Sequence, residues 1–301
     1  MSRVVLVTGS STGGIGYALC EEFAKKGCKV YATARNISKI ADFPESLPVQ
    51  VEKLELDVNN DESIAKALAY VEEKEGRLDV LVNNAGVTAP GPLIEVPIEL
   101  VKDVYETNVF AILRLCRAAV PLMNKHNSGN IINIGSIVGE MYVSSPTSPF
   151  TRIYSPHLTP SHPPPSPVPW SGVYASSKAA VYMLSEILSM ELSPFNITVT
   201  HIAPGAIKSN IAANCASRIT LSPTSLYERY APFIQKRVDS SQGPNAMDTR
   251  EFARRVVGNA MRRRPGRYLT LGGSARMFSV LKWLPRGFVL WMMWRMFSPR
   301  K

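Results

Sequence analysis

Short runs of Val, Ile, Leu and similar residues recur along the first two-thirds of the chain, and helix-period stretches lie between them. The runs fall at 4–8, 29–33, 50–56, 80–83, 130–134 and 198–202, with a last short one at 268–271. Stretches 16–26 and 61–74 are amphipathic. A strand with one face in water alternates apolar and polar residues. Several of these runs are continuously apolar, which suits strands buried on both faces of a parallel sheet. Strand–helix alternation therefore predicts an α/β fold, a doubly wound parallel sheet in a single domain over 1–274. Ligands are then expected at the carboxyl ends of the strands.

The chain's 301 residues are 45% hydrophobic, ample for one such core. No uncharged apolar run approaches the ~20 residues that span a bilayer. No secretion signal is expected at the N-terminus, whose apolar run stops at Val7. An intracellular, cytoplasmic protein with reduced cysteines is expected, and the spacing of Cys20, Cys28, Cys116 and Cys215 matches no metal site. The net charge of +10 is uneven: residues 250–301 hold thirteen Lys or Arg and one acid, Glu251. That places the excess in the last sixth of the chain and points to a local anionic partner there.

The first run leads into Gly9-Ser-Ser-Thr-Gly13-Gly14-Ile-Gly16 and then a helical stretch. Glycines permit a tight turn, close backbone approach to a pyrophosphate, and close helix–strand packing. The helix N-terminus offers free N–H groups and a positive dipole end to phosphates. An ordinary glycine-rich connection has the same composition; its place between the first strand and first helix favours a nucleotide. The second run ends at Arg35, and no Asp or Glu occurs between Glu22 and Asp42. An acid there would bind a ribose 2′-hydroxyl, whereas Arg suits a 2′-phosphate, so NADP(H) is favoured over NAD.

Further motifs follow in order: Asp57-Val58, Asn83-Asn84-Ala85-Gly86, Asn108, Ser136, Tyr174-Ala-Ser-Ser-Lys178 and Pro204-Gly205. With Thr8-Gly9, Gly14 and Gly16, the set resembles the short-chain dehydrogenase/reductase family over roughly residues 3–270. The resemblance implies a Rossmann-type domain and an oxidoreductase acting on CH–OH or C=O groups. It implies that Thr8, Gly9, Ser11, Gly14, Ile15 and Gly16 form the phosphate turn. Asp57 would contact the adenine, and Asn83, Ala85 and Gly86 would line the adenosine side. Pro204, Gly205, Ile207 and Ser209 would fold over the nicotinamide. The glycine turn is one residue longer than the commonest spacing, which leaves Gly13 and Gly14 both open as the phosphate contact.

The resemblance makes Asn108, Ser136, Tyr174 and Lys178 the catalytic set, with no metal. Ketone reduction needs a hydride at carbon and a proton at oxygen, and a phenol at its reference pKa of ~10 is a poor donor near neutrality. Tyr174 and Lys178 lie four apart, on one face of a helix, so the ammonium is expected to lower the phenol pKa. In the family Lys178 also reaches the nicotinamide ribose. Ser136 would donate to the carbonyl oxygen as charge develops, and Asn108 would hold a water in the proton relay.

Two segments break the alternation. Residues 142–170 are rich in Pro, Ser and Thr, with three prolines at 163–165. The family places roughly a dozen residues between its Ser and Tyr, far fewer than separate Ser136 from Tyr174. The extra stretch, about 145–169, reads as a solvated loop, a lid or translated intron. A real insert that displaced Tyr174 would leave an inactive protein. Residues 275–301 form an apolar, basic tail whose Trp, Phe and Met beside Arg and Lys suit either peripheral contact with a membrane or closure of the substrate pocket. Its apolar content argues against nucleic acid. Within the family, the segment from Pro194 to Val199 and the tail look most like fungal reductases of the 1-acyldihydroxyacetone-phosphate reductase type. That likeness suggests a location at the endoplasmic reticulum or lipid droplets. The leading expectation is an NADPH-dependent reductase of a lipid, terpenoid, steroid or polyketide-like ketone, as a monomer or homo-oligomer. An alcohol dehydrogenase running in the oxidative direction and a non-catalytic dinucleotide-binding scaffold are the alternatives.

Overall fold

The structure is a computed structural model that describes residues 2–139, 167–211, 215, 221–281 and 283–299. The strands are β1 (Val4–Val7), β2 (Lys29–Ala34), β3 (Val51–Glu55), β4 (Val80–Asn83), β5 (Gly129–Ile134), β6 (Ile197–Pro204) and β7 (Tyr268–Leu271). They form one parallel sheet in the order β3-β2-β1-β4-β5-β6-β7. The order reverses between β1 and β4, so their carboxyl ends diverge into a crevice. Each of the seven runs forms a strand; β1, β2, β4, β5 and β6 are almost wholly buried, while β3 and β7, at the sheet's edges, are partly exposed. Val5 and Val7 pack on one face with Phe23 and Phe252, while Val4 and Leu6 pack on the other with Leu115 and Ile131. Phe23 and Phe252 are fully buried, and truncating such a side chain to Ala costs ~3–5 kcal/mol.

The flanking helices are α1 (Ile15–Lys25), α2 (Asp61–Glu75), α3 (Ile98–Tyr105), α4 (Ala111–Asn124), α5 (Gly172–Glu191), α6 (Ala231–Asp239) and α7 (Thr249–Ala260). Local chemistry sets several ends. Asn60 caps α2 by accepting from the Ser63 amide, Gly76 closes it at φ 68°, and Asp248 caps α7. Between α3 and α4 the chain makes one π-helical turn, Glu106–Phe110, which carries Asn108. The tail forms α8 (Ala275–Leu281) and α9 (Arg286–Met296). Among the described residues, no helix is long and apolar enough to cross a membrane. Most of the proline-rich insert lies outside the described residues.

Candidate active site

The glycine turn sits at the β1 end of the crevice. Thr8 is fully buried, and its hydroxyl accepts from the amides of Asn84 and Ala85 at 3.0 and 3.1 Å, tying β1 to the strand beside it. Asn84 Nδ2 donates to the Thr8 and Gly9 carbonyls at 2.9 and 3.0 Å. Gly9 has φ +69°, and a Cβ there would meet Ala85 Cα at 2.8 Å; one on Gly16 would meet the Gly9 carbonyl at 2.4 Å. Both glycines are thus required for packing. Gly14 is the N-cap of α1, with its amide on Ser11 O at 3.0 Å. Gly13 is exposed, at φ +76°, beside Asn210. The start of α1 has no side-chain cap and no acid in its first turn, unlike α2 and α7. Its N–H groups, beginning at Ile15, remain available to an anion. Arg35 is exposed just past β2.

At the β5 end, Ser136 follows the strand and is buried. Helix α5 brings Tyr174 beside it, close enough for the Ser136 hydroxyl to favour the phenolate. The long insert therefore does not separate this pair. Lys178, one turn on, is buried, donates to Ile134 O at 2.7 Å and stands 5.7 Å from the centre of the Tyr174 ring. Asn108 Nδ2 donates to Val87 O at 2.9 Å and Ser177 Oγ at 3.0 Å, and its Oδ1 accepts from the Val87 amide at 2.8 Å. A Cβ on Gly86 would lie 3.3 Å from Asn108 Oδ1 and 3.6 Å from Lys178 Nζ. Ser136, Tyr174, Lys178 and Asn108 converge on the crevice that the glycine turn borders.

The electrostatics differ from the expectation of a phenol acidified by Lys178. Burial pushes the Tyr174 phenol above its ordinary value, and the Ser136 hydroxyl and the Arg237 guanidinium oppose that rise. The Lys178 ammonium is instead directed at a backbone carbonyl, and burial lowers its pKa to about 8. The cation that favours the phenolate is Arg237, on α6, whose buried Nε has no hydrogen-bond partner among the described residues. The motif pattern gave no sign of Arg237. The only signal was helical spacing, because Ile234 and Val238 of the same helix are buried.

The remaining residues fall into two groups. Asp57 accepts from the Asn59 amide at 3.0 Å, while Ala85 and Gly86 follow β4 at the crevice. Pro204, Gly205, Ile207 and Ser209 continue from β6, and Gln242 accepts from the Ser209 amide at 3.1 Å. Asn83, by contrast, donates from Nδ2 to Asn133 Oδ1 at 2.8 Å inside the sheet, so its side chain braces β4 against β5. Next to Tyr174 lies an apolar cluster that sequence reasoning missed. It joins Ile137, Val138, Trp170, Tyr227, Tyr230, Val289 and Met293 of α9, and Phe297 just beyond that helix. Trp170 Nε1 donates to Phe297 O at 2.8 Å, which fastens the tail to this wall.

The family described as short chain dehydrogenase matches residues 3–148 and 161–219. The chain belongs to this family. A short-chain dehydrogenase of Penicillium ochrochloron, ptmH, is 32% identical over 292 residues, covering 94% of each chain. A short-chain dehydrogenase structure from Streptomyces avermitilis aligns with TM-score 0.73 at 29% identity over 98% of this chain and 96% of that one. L-Sorbose reductase from Gluconobacter frateurii, complexed with NADPH and L-sorbose, aligns with TM-score 0.69 at 26% identity over 90% and 95%. As a short-chain dehydrogenase/reductase, this protein is an oxidoreductase with the family's single-domain α/β fold.

Proposed function

We propose that this short-chain dehydrogenase/reductase uses NADPH to reduce a ketone on an apolar substrate. The observation that carries the reading is the placement of Tyr174 beside Ser136 and Lys178, packed on an aromatic and aliphatic wall in the crevice that the glycine turn borders. NADPH supplies hydride when bound. The uncapped start of α1 and the glycines packed around Ala85 and Asn108 fit a dinucleotide, and Arg35 fits its 2′-phosphate. Among solved relatives, L-sorbose reductase was crystallised with NADPH. Ser136 and Tyr174 orient the carbonyl, and the phenol gives its proton to the oxygen. Lys178 and Asn108 line the cofactor side of the same cleft. Trp170, Tyr230 and Phe297 exclude water and favour an apolar body on the substrate.

A panel of ketones followed at the nicotinamide absorbance tests the substrate class. Lipid-like and polycyclic ketones are expected to turn over with higher kcat/KM than sugars, and a preference for sugars would contradict the apolar assignment. Arg35→Asp is expected to weaken NADPH by ~10-fold or more while leaving NADH nearly unchanged, since it replaces a charge-assisted contact with a like charge. Equal losses for both nucleotides would remove Arg35 from the 2′-phosphate. Arg237→Gln withdraws the cation that favours the phenolate, so the Tyr174 pKa rises. The alkaline decline of ketone reduction should then move to higher pH. An unchanged or acid-shifted profile would show that Arg237 does not act on Tyr174.

A further inference from the structure

Helix α9 is apolar on nearly every side, from Gly287 through Met296, with charge only at Arg286 and Arg295. A helix of that kind is normally enclosed by protein or lipid. Here protein covers one face: Val289, Met292, Met293 and Phe297 just beyond pack on the cluster beside Tyr174, and Trp294 lies against Trp170 and Tyr230. The other sides are open: Trp291 is 54% exposed, Phe288 48% and Leu290 44%. The preceding segment adds Val280 at 61% and Trp283 at 49%. Within some twelve residues this is far richer in large exposed apolar side chains than single scattered surface residues.

Its charge selects the partner. From Arg276 to Lys301 the sequence has six Lys or Arg and no Asp or Glu. The Arg295 guanidinium lies 5.3 Å from the centre of the Trp291 ring, so cation and indole share one surface. A second copy docked face to face would set these cations against themselves. An anionic bilayer satisfies both features at once: indoles and aliphatic groups enter the headgroup region, while Arg meets lipid phosphate.

We propose that α8 and α9 form a docking surface for an anionic lipid bilayer, with the protein lying on the membrane and not crossing it. The tail then has two faces, an inner one that walls the cleft and an outer one that holds this wall against the acyl phase. The significance for substrate delivery rests on the reductase reading, but the docking does not.

Flotation of the full chain with phosphatidylcholine vesicles, with and without phosphatidylserine, tests this. Wild type should bind the phosphatidylserine vesicles at least ~10-fold more tightly, with a blue shift in Trp emission. Arg286→Gln with Arg295→Gln should lose on the order of 25-fold, about fivefold per cation. Phe288→Ser, Leu290→Ser and Trp291→Ser together should leave the protein unbound to either vesicle. All variants should melt near the wild-type temperature and reduce a water-soluble ketone normally without vesicles, which separates this proposal from the reductase reading. Failure to bind anionic vesicles, or equal binding to both kinds, would overturn it. So would a dimer in light scattering that the triple substitution dissolves without any vesicle binding.

Discussion

Tyr174→Phe is expected to lower ketone turnover by ~10²–10⁴-fold while leaving NADPH affinity within about twofold. The substitution removes one oxygen, the atom beside Ser136 that the proposed mechanism uses as proton donor. The ring stays, and so does its packing against the apolar cluster. The glycine turn, Arg35 and the start of α1 do not touch that oxygen, so nucleotide binding should be insensitive to it. Burial already pushes the phenol above its ordinary pKa, so the neutral donor form persists well above neutral pH. Nucleotide titration and single-turnover kinetics on the same sample measure both halves. Retained turnover would take the proton from some other group.

Lys178→Met should have the second largest effect, and a divided one. Turnover is expected to fall at least ~10²-fold, because in the proposed mechanism the ammonium acts beside Tyr174, whose ring centre lies 5.7 Å away. Stability should move the other way. Burial lowers the Lys178 pKa from 10.5 to about 8, so the fold disfavours its charged form. Below pH 8 the folded and unfolded chains both carry the proton, and the full penalty applies, on the order of a few kcal/mol. From pH 8 to 10.5 the unfolded chain binds more protons than the folded one, so wild-type stability recovers as pH rises. Met fills similar volume without that cost. The nucleotide-free variant should therefore be more stable than wild type at neutral pH, with the gap closing toward pH 10.5. Denaturant unfolding at several pH values checks this. A variant less stable than wild type at every pH would show that the bond to Ile134 O outweighs the desolvation.

The sheet was legible because its central strands are buried apolar runs, and the edge strands β3 and β7 follow in the same strand–helix alternation. The runs at 80–83 and 268–271 match β4 and β7 residue for residue, and the others differ by one or two residues at their ends. β6 extends to Pro204 because Ala203 and Pro204 pair with Thr270 and Leu271, a tertiary contact that local composition does not encode. Helical spacing placed Tyr174 and Lys178 on one face, and the structure brings Ser136 to them across a long gap in sequence. Spacing could not show which way Lys178 points, because that is set by the Ile134 carbonyl at the end of β5. Tyr227, Tyr230 and Arg237 come from one segment that meets Trp170 and Tyr174, more than fifty residues earlier, only in three dimensions. The π-turn under Asn108 has no composition signature, and nothing in the alternation marks it.

Mixing the purified protein with NADPH and a lipid-like ketone, then counting alcohol formed against NADPH lost, reaches the central claim in one experiment. A hydride-transfer site built on Ser136 and Tyr174 predicts one alcohol for each NADPH consumed. Tight NADPH binding with no loss of nicotinamide absorbance against any ketone would contradict it, and would make the chain a dinucleotide-binding scaffold.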